Sequence, residues 1–165
     1  MIDTTIHFPH QSTKTYGHDV GLSAVFRQWR AASHCNKLHG YALAVELVFK
    51  SSTVDSRNWV VDFGALKPVK EWLTHHFDHT LLVALDDPAG EDFGRLERLG
   101  LVKLVLVNAV GCEAFAQLIG EHVNGWLLES YLPDLSKHRI QHPENLHCAE
   151  VKVSEHGANS ASWFY

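Results

Sequence analysis

The ten residues Tyr41 to Lys50, YALAVELVFK, alternate strictly, and no other segment limits the possible folds so tightly. Successive side chains on a strand point to opposite faces, so Tyr41, Leu43, Val45, Leu47 and Phe49 form one apolar row and the residues between them the other. The segment therefore predicts a strand with one face on a core, and it commits the chain to a sheet.

The remaining elements follow around that strand. Residues 1 to 17 are polar, lack periodicity and read as an extended lead-in. Val25, Phe26 and Trp29 predict a strand over Val20 to Arg30, with Ala31-Ala32-Ser33 as a connection. A polar turn over Ser51 to Asn58 leads to a short strand, Trp59-Val60-Val61. Asp62 then caps a helix to about Phe77, with Leu66, Val69, Lys70, Leu73 and Phe77 at helical spacing. Pro68 falls early in that helix but past its first position. Asp86 to Gly90 is a turn, a short helical segment follows, and Leu99 to Val107 reads as a buried strand. Cys112 to Leu128 is a second amphipathic helix, Pro133 and Pro143 bracket a loop, and Leu146 to Val153 is a last strand. The order predicts an α+β fold, with an antiparallel sheet and helices on one face. With 165 residues and neither repeat nor linker, a single domain over residues 1–165 is expected.

Composition narrows the function classes. Hydrophobic residues at 45% and charged residues at 20% support a folded core rather than disorder. No run approaches the roughly 18 to 20 apolar residues of a membrane helix, and MIDTTIHFPHQ lacks the order of a secretory signal. A cytoplasmic protein without a membrane partner is expected. The formal net charge of −5 with no basic block argues against nucleic acid as a partner. Three widely spaced cysteines, Cys35, Cys112 and Cys148, argue against a disulfide framework and for a reducing compartment. Thirteen histidines point toward zinc ligation or proton exchange, although scattered surface histidines give the same count.

Three clusters carry chemistry. In Ser33-His34-Cys35-Asn36-Lys37-Leu38-His39-Gly40-Tyr41, the cationic and imidazole neighbours of Cys35 favour its thiolate, the form that acts as nucleophile or base. An inert buried thiol beside surface histidines is equally compatible with the spacing. In His75-His76-Phe77-Asp78-His79-Thr80, the adjacent Asp78 and His79 suit an acid-base pair, whereas His75 and His76 read as helix-end residues matched to the dipole. Glu155, at the end of the last strand, and Glu113, at a helix start, are by default a solvated loop carboxylate and a dipole-compensating residue.

Taken in order, Cys35-x3-His39-Gly40, Trp59 to Lys67 (WVVDFGALK), Phe77-Asp78-His79, Gly111-Cys112-Glu113 and Val151 to Glu155 resemble the 6-pyruvoyltetrahydropterin synthase and 6-carboxytetrahydropterin synthase family over nearly the whole chain. The resemblance implies the tunnelling fold, a four-stranded antiparallel sheet with two helices packed on one face. It also implies a homo-oligomer that closes a barrel and holds its active sites between subunits. By the same resemblance, Cys35 is the general base or acid, Asp78 and His79 relay protons, Glu155 accepts the N–H groups of a pterin ring, and Glu113 supports the pocket. Zinc held by three histidines is implied as well, but this chain departs from that pattern. Phe26 stands where one ligand falls and Tyr41 where another does, leaving His39, with His34 as the nearest substitute and His18 a remote one. The Cys35-x3-His39 spacing is similar to the carboxy-forming type. That implies a lyase converting 7,8-dihydroneopterin triphosphate to 6-carboxy-5,6,7,8-tetrahydropterin on the route to 7-deazaguanines such as queuosine precursors. The alternatives are 6-pyruvoyltetrahydropterin synthase activity and a pterin-binding paralogue without zinc chemistry.

Overall fold

The alternating segment forms the longest strand of the molecule, and the sheet is assembled around it. The computed structural model describes residues 6–165. Strand β3 (His39–Ser51) carries Leu43, Val45, Leu47 and Phe49 into the core, each almost fully buried. Strands β1 (His10–Tyr16) and β2 (Leu22–Phe26) lie end to end along one edge of β3, with Tyr16 opposite Val45 and Leu22 opposite Leu43. A single helical turn, His18–Val20, separates them and ends at Gly21, whose φ of 79° lies in the left-handed region that glycine enters without steric cost. The described part of the polar lead-in is thus largely a strand, in which half-buried His10, Ser12 and Lys14 alternate with exposed Gln11, Thr13 and Thr15.

On the other edge, β3 pairs with β6 (His147–His156), which turns at Gly157 into β7 (Asn159–Phe164). Beyond β2 the sheet continues through β4 (Thr80–Ala84) to β5 (Lys103–Val107), and both added pairings are parallel. The described residues therefore build a mixed sheet of seven strands, not the expected four-stranded antiparallel one. β4 is a continuous apolar run, TLLVA, buried along its whole length, and such a run shows no alternation by which to recognise a strand.

Helix α1 (Lys67–Phe77) covers β2 and β4, and α3 (Cys112–Trp126) covers β6 and β7. Phe77, Phe115 and Phe26 meet edge to face between these layers, at 5.5 and 5.1 Å between centroids. Helix α2 (Gly90–Arg98) lies on the opposite face, where Phe93 packs on Leu81 and Val83. Helices thus cover both faces, which corrects the expected arrangement on one. α3 runs through a π-helical turn, Leu127–Tyr131, into the short α4 (Leu132–Lys137), so part of the Pro133–Pro143 stretch is helical.

Three boundaries moved for local reasons. Asp62 does cap, accepting the Gly64 N–H at 2.8 Å, but it caps a 3-10 turn, Phe63–Leu66; α1 begins only at Lys67, which puts Pro68 in the first turn. Trp59-Val60-Val61 is not a strand, because the Asp55 carboxylate takes the N–H groups of Arg57 and Trp59 at 2.8 and 2.9 Å and folds the segment into a loop. Leu99 and Leu101 stay exposed, and β5 is a partly exposed edge strand, not a buried one. No helix among the described residues is long and apolar enough to cross a membrane.

Candidate functional site

Four secondary-structure ends meet at one place: β2 finishes at Phe26, β3 starts at His39, β6 finishes just past Glu155, and α3 starts at Cys112. Between them lies a cavity of about 390 Å³, and Cys35, His39, Cys112, Glu113 and Glu155 all line it. A larger groove of about 760 Å³ runs beside β1, but Asp62 and His10 are the only acid and imidazole along it. The smaller cavity holds the reactive groups.

Each side chain has a local reason to be there. The loop bearing Cys35 is stitched to the end of β2 by the Gln28 N–H donating to the Cys35 carbonyl at 2.9 Å. Arg27 anchors the same loop from below, its Nε and Nη2 donating to the two oxygens of Asp87 at 2.9 and 2.5 Å while Nη1 reaches the Asn36 carbonyl at 3.4 Å. His39 Nδ1 lies 2.7 Å from the Lys37 carbonyl, which can only accept. In the neutral ring the proton therefore sits on Nδ1, which puts the lone pair on Nε2. Glu155 is the extra residue of a bulge, with Ser154 opposite Ser160 and His156 opposite Asn159, and the bulge turns its carboxylate toward the cavity. Gly111, with φ of 112°, makes the turn that starts α3 and places Cys112 and Glu113 on the wall.

The two wall thiols differ in character. Burial pushes the Cys112 thiol up to about 12, helped by the charges of Glu155 and Glu113, so it remains protonated. Cys35 is partly exposed and is the one accessible thiol, since Cys148 is buried as well. Tyr41 is raised by burial first, then by the negative charge of Glu155.

Asp78 and His79 do form a pair, with His79 Nδ1 2.6 Å from Asp78 Oδ1. His79 adopts a left-handed φ of 54°, a conformation costing a side-chain-bearing residue about 1–2 kcal/mol, and its ring is 87% exposed. The pair lies outside the Cys35 cavity: Asp78 borders a groove along α1 and His79 a separate cavity beside β5. Within one chain the structure brings Cys35, His39, Glu113 and Glu155 together and leaves Asp78 and His79 apart.

The donor set does not fit a three-histidine zinc site. Phe26 is the register partner of His39, and the two rings stand 5.1 Å apart, while Tyr41 lies 5.6 Å from His39. Phenylalanine has no donor atom, and exposed His34 is not among the cavity residues. Among the described residues no three histidine, cysteine or acidic side chains gather as a metal-binding group. His18 Nδ1 is held by the Ala42 carbonyl at 2.5 Å.

Sequence reasoning overlooked Cys112 as a wall residue, although the Gly111-Cys112-Glu113 motif pointed to its position. It also overlooked Asn159 and Ser160, which border the cavity from β7 and carry no sequence signal because the β6–β7 hairpin itself was not foreseen.

Comparison with known proteins shows the family and the fold. A 54-residue stretch, 32% of this chain, is 37% identical to 6-carboxy-5,6,7,8-tetrahydropterin synthase of Rickettsia felis and 35% identical to that of Rickettsia conorii. The match spans 39% of the length of these relatives. An uncharacterized protein from Wolinella succinogenes has the same fold, with a TM-score of 0.72 at 18% identity over 94% of this chain and 97% of the other. The 6-pyruvoyltetrahydropterin synthase of Plasmodium vivax aligns with a TM-score of 0.60 at 18% identity, over 93% of this chain and 97% of its own. The family model for 6-pyruvoyl tetrahydropterin synthase matches residues 17–164, nearly all of the folded chain, and the chain belongs to that family.

Proposed function

We propose that the protein is a lyase that converts 7,8-dihydroneopterin triphosphate to 6-carboxy-5,6,7,8-tetrahydropterin, a step toward 7-deazaguanines. The carrying observation is the convergence of Cys35, His39, Glu113 and Glu155 on one cavity of about 390 Å³. The naming of the Rickettsia relatives favours the carboxy-forming product over the 6-pyruvoyl one.

In this reading Glu155 accepts the ring and amino N–H groups of the aminopyrimidine, a charge-assisted pairing that fixes the ring's orientation. Glu113 borders the same cavity and supports the pocket. Cys35 moves protons at the side-chain carbons, with the His39 Nε2 lone pair as its imidazole partner. Asp78 orients His79 and stabilises its charged form, so that the pair serves as the second proton carrier. Triphosphate and a two-carbon aldehyde leave, one water supplies the second carboxyl oxygen, and the dihydropterin ring is reduced to the tetrahydro form as the side-chain carbon is oxidised. Because the pair and Cys35 border different cavities in one chain, the reading requires a homo-oligomer in which Asp78 and His79 of one copy face the Cys35 cavity of another. The outer edges of β1 and β7, each paired on one side only, supply surfaces for such assembly. Three free cysteines suit a reducing, cytoplasmic setting.

The test is incubation of the purified protein with 7,8-dihydroneopterin triphosphate, with products followed by mass spectrometry. The 6-carboxy product is expected, lost in Cys35→Ala; no turnover with zinc supplied overturns the reading, and a monomer by light scattering overturns the shared site. A second reading, a pterin-binding paralogue without catalysis, is favoured by Phe26 and Tyr41 at the two ligand positions. It predicts pterin affinity that survives Cys35→Ala and a protein isolated without zinc.

A further inference from the structure

Helix α1 buries one stripe and shows another. Val69, Leu73 and Phe77 are fully buried, while Lys67, Lys70, Glu71, Thr74, His75 and Asp78 follow on the open side at spacings of three and four. This open stripe and Lys103, the first residue of β5, line a groove of about 660 Å³. Three of the eight lysines in a chain of net charge −5 thus share one groove.

The two carboxylates in the groove are already engaged. Glu71 faces Lys67 at 3.7 Å, and Asp78 holds His79 at 2.6 Å. Among the described residues, no carboxylate comes within ion-pair distance of Lys70 or Lys103. Lys103 donates to the His75 carbonyl, which fixes its ammonium beside the end of α1 without neutralising it. Lys103 also borders the neighbouring cavity, which His79, Thr80 and Ser23 line. It therefore stands between the two faces of the Asp78–His79 pair. Thr80, its register partner, is 3% exposed, and its hydroxyl has no hydrogen-bond partner.

We propose that this groove binds a polyphosphate, with Lys70 and Lys103 as the anchoring charges, and that it receives the triphosphate arm of the substrate beside the Asp78–His79 pair. Two uncompensated ammonium groups flanking a proton-carrying pair match a leaving group that is highly anionic. Assignment of the arm to the substrate rests on the lyase reading above; the groove's affinity for polyphosphate does not.

The experiment titrates inorganic tripolyphosphate into the intact protein by calorimetry at low and moderate salt. The wild type binds, and affinity falls as salt rises, because exposed charges are screened. Lys70→Gln, at an exposed side chain with no hydrogen bond or ion pair among the described residues, weakens binding about fivefold. Lys103→Gln does the same if it folds, as judged by circular dichroism, and Lys152→Gln on β6 leaves binding unchanged. No binding by the wild type, or equal binding by Lys70→Gln, overturns the groove. Turnover of the pterin triphosphate with an unaltered KM in Lys70→Gln also overturns it while leaving the lyase reading intact. Tripolyphosphate binding sensitive to Lys70→Gln in a protein with no turnover supports the groove and removes the lyase reading.

Discussion

The Arg27–Asp87 pair holds the Cys35 loop against the turn after β4, and Asp87→Asn tests how much. The Asp87 side chain is 1% exposed, and it accepts two bonds from Arg27 and one from the Ala89 N–H at 2.9 Å. An asparagine keeps the shape but turns an N–H group toward the guanidinium and removes the negative charge. Breaking a fully buried pair from one side costs about 3–5 kcal/mol. Arg27 keeps 23% of its side-chain surface and can partly rehydrate, so a loss near the lower end, about 3 kcal/mol, is expected. The pH dependence follows from the same contacts. The Arg27 hydrogen bonds hold the Asp87 carboxyl below the usual carboxylate range, against the opposing effect of burial. A depressed carboxylate contributes stability above its unfolded pKa, about 3.9, and loses it as pH falls through the folded value. Urea unfolding at pH 7 and at pH values descending through 3 should show the wild type and Asp87→Asn converging in acid. A loss under about 1 kcal/mol at pH 7, or a gap that fails to narrow in acid, refutes the reasoning.

Three further outcomes follow. A Cβ on Gly120 would lie 2.3 Å from the Trp163 ring where α3 crosses β7, so Gly120→Ala should cost about 1–3 kcal/mol by thermal unfolding, and a neutral result would mean the ring moves freely. Burial holds Cys112 and Cys148 up to about 12, so intact-mass analysis after iodoacetamide at pH 8 should find one adduct, on Cys35; a second adduct on the folded protein contradicts this. Phe26→His with Tyr41→His places three imidazoles around the His39 position, and elemental analysis should find more zinc in that variant than in wild type. Equal, near-stoichiometric zinc in both would show that other residues ligate it.

Legibility in the sequence tracked the locality of each signal. The β3 segment was read nearly to its ends because alternation is a property of neighbouring residues. α1 and α3 were found from helical spacing, and Asp62 was found as a cap, although the turn it caps is 3-10. β4 and β7 were missed for opposite reasons. β4 is buried on both faces and does not alternate, whereas β7 reads NSASWF, polar and small until its end, and is a strand only because β6 offers a partner edge. The parallel extension through β4 and β5, and α2 on the second face, depend on where a crossover packs, which no local pattern encodes.

The candidate site divides in the same way. By itself the sequence determined which groups are available: a thiol four residues before an imidazole, an aspartate beside a histidine, a glutamate near the chain's end, and a phenylalanine and a tyrosine at two positions where the family resemblance implies metal ligands. Tertiary structure alone decided which of them meet. Glu155 reaches the Cys35 cavity because one extra residue bulges β6, and Cys112 joins it because α3 begins at a left-handed glycine. Asp78 and His79 turn elsewhere because α1 ends at Phe77 and the chain becomes extended at Asp78. Residue identity fixes chemistry at each position, but proximity between positions over a hundred residues apart is set by strand register and helix packing, which arise only when the whole chain folds.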